Sequence, residues 1–178
     1  MTSIGFATNR QTTDRVTGFG DRRKLISDLD DALKHGSPPS VLAVFYLVGF
    51  DDYQRVFGQR ASDALAARLA KPFANVVYLA RSAQPFGGDT QSVALCYRAR
   101  QNEFCALINM PFENVINVLD DAARALTDER VGAPLCGALL LPDEVVDPVE
   151  ALTLADQSIW SLVEGRGPRE RRQTTRSS

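Results

Sequence analysis

The chain has 178 residues, 44% of them hydrophobic and 24% charged, with a formal net charge of -2. That is the balance of one folded domain, and it excludes a protein that coats nucleic acid or an acidic membrane by bulk charge. Cys96, Cys105 and Cys136 are dispersed and His35 is the one histidine, which excludes a zinc site of the usual Cys/His spacing and argues against a catalytic triad.

Residues 1–13 and 166–178 read as flexible ends around a domain spanning 14–165. The second end is basic, with Arg166, Arg169, Arg171, Arg172 and Arg176. Asp21 suits the N-cap of a helix whose apolar residues are Leu25, Ile26, Leu29 and Leu33. His35-Gly36 ends that helix and Ser37-Pro38-Pro39-Ser40 makes a turn. Val41 to Val48 is an apolar run of strand length, suited to a central strand covered on both faces. Phe50 to Phe57 reads as a short helix. Ser62 or Asp63 begins the next, with Leu65 and Leu69 on one face and its end near Pro72. Asn75 to Ala80 is a strand candidate, and Ser82 to Thr90 is a loop by composition, with Phe86 at its tip. Val93 to Tyr97 and Phe104 to Ile108 flank the polar segment Arg98 to Glu103, the pattern of a β-hairpin. Pro111 to Leu126 is helical, Leu135 to Leu141 extended and Val149 to Val163 helical, with Trp160 turned inward.

The order αβααββαβα implies one α/β domain, an α+β sandwich with a mainly antiparallel sheet. No run reaches the roughly 18 apolar residues of a membrane span, the longest being Val41 to Phe50. Residues 1–13 lack a signal-peptide core. With three dispersed thiols, the expectation is a cytoplasmic protein in a reducing compartment.

Four segments, in order, resemble the GGDEF family, the diguanylate cyclase domain of bacterial cyclic di-GMP signalling. Asp14-Arg15-Val16-Thr17-Gly18-Phe19-Gly20-Asp21-Arg22-Arg23 resembles the family opening D-x-L-T-G-L-x-N-R-R. Tyr46-Leu47-Val48-Gly49-Phe50-Asp51 falls where the family has D-x-D-x-F-K. Gln54-Arg55, Gly58-Gln59 and Ser62-Asp63 then stand for N-D, G-H and G-D. Arg98 to Phe104 resembles R-x-G-G-D-E-F, and Leu154 to Trp160 resembles the closing A-D-x-A-L-Y. Gly87-Gly88-Asp89-Thr90 also spells part of the signature, but no Glu-Phe follows it. The hairpin is therefore placed at Arg100, Gln101, Asn102, Glu103 and Phe104, with residues 82–90 as part of an insertion.

The resemblance implies a ferredoxin-like palm core, helices around its sheet, and a β-hairpin carrying the signature. It also implies a site that has lost its chemistry. Two GTP molecules condense on paired family domains, with Mg²⁺ on carboxylates at the strand end and the hairpin. Mg²⁺ takes hard oxygen ligands. The corresponding positions are Tyr46, Val48 and Asn102, a phenol, an alkyl group and a neutral amide. Asp51 stands at the Lys position, Arg100 and Gln101 replace the two glycines, and Val163 replaces a phosphate-binding Lys. Gln91-Ser92-Val93-Ala94 lacks both charges of the product-inhibition motif R-x-x-D. What survives is Asp63 and Gln54, where the family contacts guanine, although Asp63 equally suits a helix cap. Arg166 is a candidate phosphate contact. Glu103 is expected as a solvated hairpin residue, and Arg98 and Arg100 as neighbours on one face of a charged edge strand.

The expectation is a catalytically inactive GGDEF-like regulatory or interaction module, not an enzyme, with residual GTP binding. It needs no cofactor, and Mg²⁺ only if GTP is bound. Its partners would be GTP and a GGDEF or EAL-type signalling protein or a second copy, with no nucleic acid and no membrane. The alternatives are an active diguanylate cyclase making cyclic di-GMP from two GTP, and a structural interaction domain that binds no nucleotide.

Overall fold

The computed structural model describes residues 12–35, 40–82, 95–110, 112–141 and 147–163. Among them the elements follow the expected order: α1 (Arg22–His35), β1 (Ser40–Tyr46), α2 (Phe50–Phe57), α3 (Gln59–Ser82), β2 (Leu95–Arg100), β3 (Glu103–Asn109), α4 (Phe112–Ala125), β4 (Leu135–Leu141) and α5 (Pro148–Val163). The expected loop over 83–90, the segment 91–94, the turn over 37–39 and residues 1–11 and 164–178 lie outside the described residues. So do Arg166 and the side chains of Trp160 and Val163. Thr12 and Thr13, expected in a flexible end, instead pair with the start of the domain: Thr13 bridges Gly20, and the Thr12 carbonyl accepts from Asp21 N–H at 2.8 Å.

The sheet has strand order β2-β3-β1-β4. Each neighbouring pair is antiparallel. From β1 to β4 the path is that of the βαββαβ ferredoxin-like unit, with α1 and α5 added. β1 is central because nearly every side chain in it can be buried. Val41, Ala43 and Phe45 enter one core with Leu65, Leu69, Phe73 and Val115 from α3 and α4. Leu42 and Val44 enter the other, with Leu25 and Leu29 of α1 and Leu152 and Ile159 of α5. The alternation of strand side chains thus feeds two helical layers from one strand.

Asp21 caps α1 as expected, its Oδ1 accepting from the Lys24 backbone N–H at 3.0 Å. α3 departs from expectation. It begins at Gln59 and continues through Pro72 to Ser82. Neither Ser62 nor Asp63 starts it; Gly58, with φ of 84°, precedes it, and the Ser62 hydroxyl donates within the first turn to the Gln59 carbonyl at 2.9 Å. The strand candidate Asn75 to Ala80 is the second half of this helix. Proline in a helix costs a backbone hydrogen bond. Here Phe73 and Val77 carry the buried face past it, being 0% and 2% exposed. Phe73 sits among the rings of Phe19, Phe45 and Phe104, at 6.1, 5.4 and 5.8 Å between centroids. Tyr78 and Leu79 face outward, so the run is apolar on both sides without being a strand.

Candidate functional site

The β2–β3 hairpin turns at Gln101-Asn102. A two-residue turn of the usual hairpin type needs positive φ, which is why glycines suit it. No non-glycine residue among those described has positive φ. The strands instead shift register between Arg98 and Arg100: Arg98 pairs with Phe104, Arg100 with Glu103. The extra residue, Ala99, is a β-bulge, and it sends the two arginines to opposite faces of the sheet.

This corrects the expectation that Arg98 and Arg100 share a face. Arg98 is buried on the α2 side. Its Nε and Nη2 donate to the Gln101 carbonyl at 3.1 and 2.9 Å, its Nη1 lies 3.5 Å from Asp14 Oδ2, and its guanidinium stands 5.9 Å from the Phe50 ring centroid. Asp14 is itself fixed, accepting from the Thr17 backbone N–H at 2.9 Å and from the Thr17 hydroxyl at 2.6 Å. The opening segment then runs beside β2. The Gly20 backbone N–H donates to the Cys96 carbonyl at 3.1 Å, and the Gly20 carbonyl accepts from Arg98 N–H at 2.9 Å. A Cβ on Gly20 would stand 2.6 Å from the Tyr97 ring, so no larger residue fits this crossing.

Arg100 lies on the other face, half exposed, 3.5 Å from Glu103 and 3.7 Å from Asp156 on α5. Glu103 is not solvated. It is 2% exposed, with the Cys105 thiol 3.8 Å from its carboxylate. Burial pushes its carboxyl above the usual range, the Asp156 carboxylate adds to the rise, and Arg100, Arg22 and Cys105 oppose it.

At the tip, the Asn102 side chain is buried and its Nδ2 donates to both oxygens of Asp51, at 3.1 and 3.0 Å. The Asn102 carbonyl accepts from Leu47 N–H at 2.8 Å. Asp51 opens α2, where the helix dipole favours an anion. Tyr46 packs against the core beneath α1 and α5 and faces Glu103 across the strands, whereas Val48 is exposed. The Asp51 carboxylate thus accepts two hydrogen bonds from Asn102, and the oxygens at the positions matched to the family's metal ligands are a phenol and an amide. That donor set does not fit Mg²⁺, which proteins usually hold through one or two carboxylates. Among the described residues, no group of three or more His, Cys, Asp or Glu residues is placed to hold a metal ion.

Gln54 and Asp63 lie on the α2–α3 corner, joined through Gln59. The Gln54 amide donates to Gln59 Oε1, and Gln59 Nε2 donates to Asp63 Oδ1 at 2.7 Å. Asp63 stands in the second turn of α3 rather than at its cap, so its second oxygen is not committed to the helix N-terminus.

The four motif segments therefore converge on one hairpin. Arg98 holds the first and touches the second through Phe50, Asn102 ties the second, and Arg100 reaches the fourth. Sequence reasoning found these residues but not their pairing. The Asn102–Asp51 bond joins positions 51 residues apart, and neither position alone signals it.

No protein-family model and no curated protein matches the sequence. Solved structures do resemble it. The FimX GGDEF domain from Pseudomonas aeruginosa superposes with a TM-score of 0.70 at 18% identity, over 88% of this chain and 96% of that one. The GGDEF domain of DgcB from Caulobacter crescentus, solved in complex with c-di-GMP, gives 0.64 at 18% identity, over 93% and 94%. The S helix-GGDEF-EAL chain of LapD from Vibrio cholerae gives 0.67 at 17% identity, over 89% of this chain and 36% of that one. Among the described residues, no helix is long and apolar enough to cross a membrane. With its βαββαβ sheet and hairpin, the chain has the fold of a GGDEF domain.

Proposed function

We propose that the chain is a GGDEF-like regulatory or interaction module in cyclic di-GMP signalling, without cyclase activity. The observation that carries this reading is the Asn102–Asp51 pair. A neutral amide occupies the hairpin position where the family sequence has a metal-binding carboxylate. It is hydrogen-bonded to an aspartate where the family has a cation. The two substitutions pair with one another inside the protein, so neither position offers a metal-binding carboxylate or a cation. Phosphoryl transfer relies on such charge neutralisation, so losing both disables the chemistry while the fold persists.

A guanine contact is the remnant that fits. The Asp63 carboxylate can accept from a base edge beside the Gln59 and Gln54 amides. The chain's partner would be a GGDEF or EAL-type signalling protein, or a second copy of this chain. Calorimetric titration with GTP, with and without Mg²⁺, tests the reading. It predicts the same affinity in both conditions and loss of binding in Asp63→Ala. Affinity that requires Mg²⁺ contradicts it. Absence of GTP binding in either condition would leave an interaction scaffold with no nucleotide.

A further inference from the structure

A groove of about 300 Å³ lies between α2, α3 and the turn after α4, lined by Tyr53, Ala61, Ala64, Leu65, Arg68 and Arg130. None of the six stands at a position matched to the family motifs. The groove shares the α2–α3 corner with Gln54, Gln59 and Asp63, but none of those three lines it.

Its chemistry is divided. Ala61, Ala64 and Leu65 follow one another on a face of α3 at helical spacing and make an apolar floor. Tyr53 supplies an aromatic wall, its ring 4.8 Å from that of Phe57. Arg68 and Arg130 supply the polar rim. Both guanidiniums are held by one carboxylate. Arg68 Nη2 donates to Asp128 Oδ2, and Arg130 Nη1 lies 3.5 Å from both oxygens of Asp128. Asp128 is well placed to do so. Its side chain is 14% exposed, its Oδ1 accepts from the Arg130 backbone N–H at 2.9 Å, and its carbonyl accepts from Gly132 N–H at 2.7 Å.

Two cations sharing one anion leave a net positive charge. Among the described residues, no carboxylate lines the groove. Both arginines keep about half of their side-chain surface exposed, so their remaining N–H groups are accessible. Oriented guanidinium forks are strong donors to oxyanions, and the shared carboxylate fixes them before a ligand arrives. A planar carboxylate presents one edge, the role Asp128 already fills. A phosphate presents three acceptor oxygens and can take a hydrogen bond from each arginine at once.

We propose that this groove binds a phosphomonoester borne on a flat apolar body. The ring lies against Tyr53 and Leu65, and the phosphate between Arg68 and Arg130. The volume suits a body of one or two rings.

The test is titration of the full chain with phenyl phosphate, followed by amide chemical shifts. Inorganic phosphate and benzoate serve as the head-alone and wrong-head controls. The proposal expects saturable shifts at Tyr53, residues 61–68 and residues 128–132, with phenyl phosphate binding tighter than either control. Arg130→Gln should weaken binding about ten-fold or more, the loss expected for a charge-assisted bond. Ala64→Phe fills the groove from an exposed helix position and should abolish binding while the spectrum stays that of a folded chain. Phenyl phosphate binding no tighter than inorganic phosphate overturns the proposal, as does unchanged affinity in both variants.

Discussion

Asn102→Asp restores the carboxylate that the family sequence carries at the hairpin, and in this chain it should be destabilising. Asn102 Nδ2 lies 3.0 and 3.1 Å from the two oxygens of Asp51, and Asn102 is 8% exposed. The substitution removes a hydrogen bond to a charged acceptor, which contributes about 1.5–3 kcal/mol. It also sets two like charges about 3 Å apart. Their repulsion is roughly 1.4 kcal/mol in water and about 5.5 kcal/mol at an effective dielectric of 20. Asp51 is exposed and can swing its carboxylate into water, so the repulsion falls between the two figures and toward the lower. Repacking of the tip will recover part of both losses, leaving about 2–3 kcal/mol at neutral pH. For a chain of this length that lowers Tm by roughly 5–10 °C. The loss should shrink in acid, because two adjacent carboxylates share a proton before both ionise. Thermal unfolding of Asn102→Asp against wild type, from pH 7 to pH 4, measures both effects. Placing Asp51→Lys beside it should recover stability through an ion pair. A change below 0.5 kcal/mol with no pH dependence would refute the argument that this pair holds the hairpin tip.

Glu103 should leave its mark on the pH profile. Its carboxyl is pushed above the usual range, so between the ordinary value and the raised one the native state binds more protons than the unfolded chain. Stability from this group is then fully present below the ordinary carboxylate value and falls as pH rises through the raised one. Urea unfolding of Glu103→Gln across pH 4–8 should lack that decline, and parallel profiles would contradict the assignment. Phe73→Ala removes a fully buried ring from a cluster of three others and should cost about 3–5 kcal/mol by denaturant titration. The native thiols should react slowly with a disulfide reagent at pH 8. Burial pushes Cys96 and Cys136 up to about 12 and Cys105 well above its ordinary value, so labelling should accelerate sharply only on unfolding.

The sequence was most legible where local chemistry decides the outcome. Asp21 caps α1 because its carboxylate reaches the Lys24 N–H within one turn. β1 could be placed at the centre because an unbroken apolar run has no solvent face to offer. α2 and β4 ran as their patterns indicated. α3 was misread because Pro72 and the apolar run after it are local signals, whereas its course is set by Phe73 and Val77 entering a distant core. The bulge at Ala99 left no trace in the sequence, and every side chain beyond it changes face. That one shift explains why Arg100 leaves the face of Arg98 and meets α5. Glu103 looked solvated because a lone carboxylate in a polar hairpin usually is. Burial and the Asp156 carboxylate of α5 raise its carboxyl, and Arg22 of α1 is among the groups that oppose the rise; both come from elements distant in sequence. The Arg68–Asp128–Arg130 cluster has no motif, since its members come from a helix and a turn 60 residues apart.

Purified protein incubated with GTP and Mg²⁺, with the mixture resolved by anion-exchange chromatography, tests the central claim directly. On the proposed reading of the Asn102–Asp51 pair, GTP should be recovered unchanged and no cyclic di-GMP should form, at any protein concentration. Accumulation of cyclic di-GMP in proportion to protein, abolished by chelating Mg²⁺, would contradict the account and make the chain a cyclase with unusual ligands.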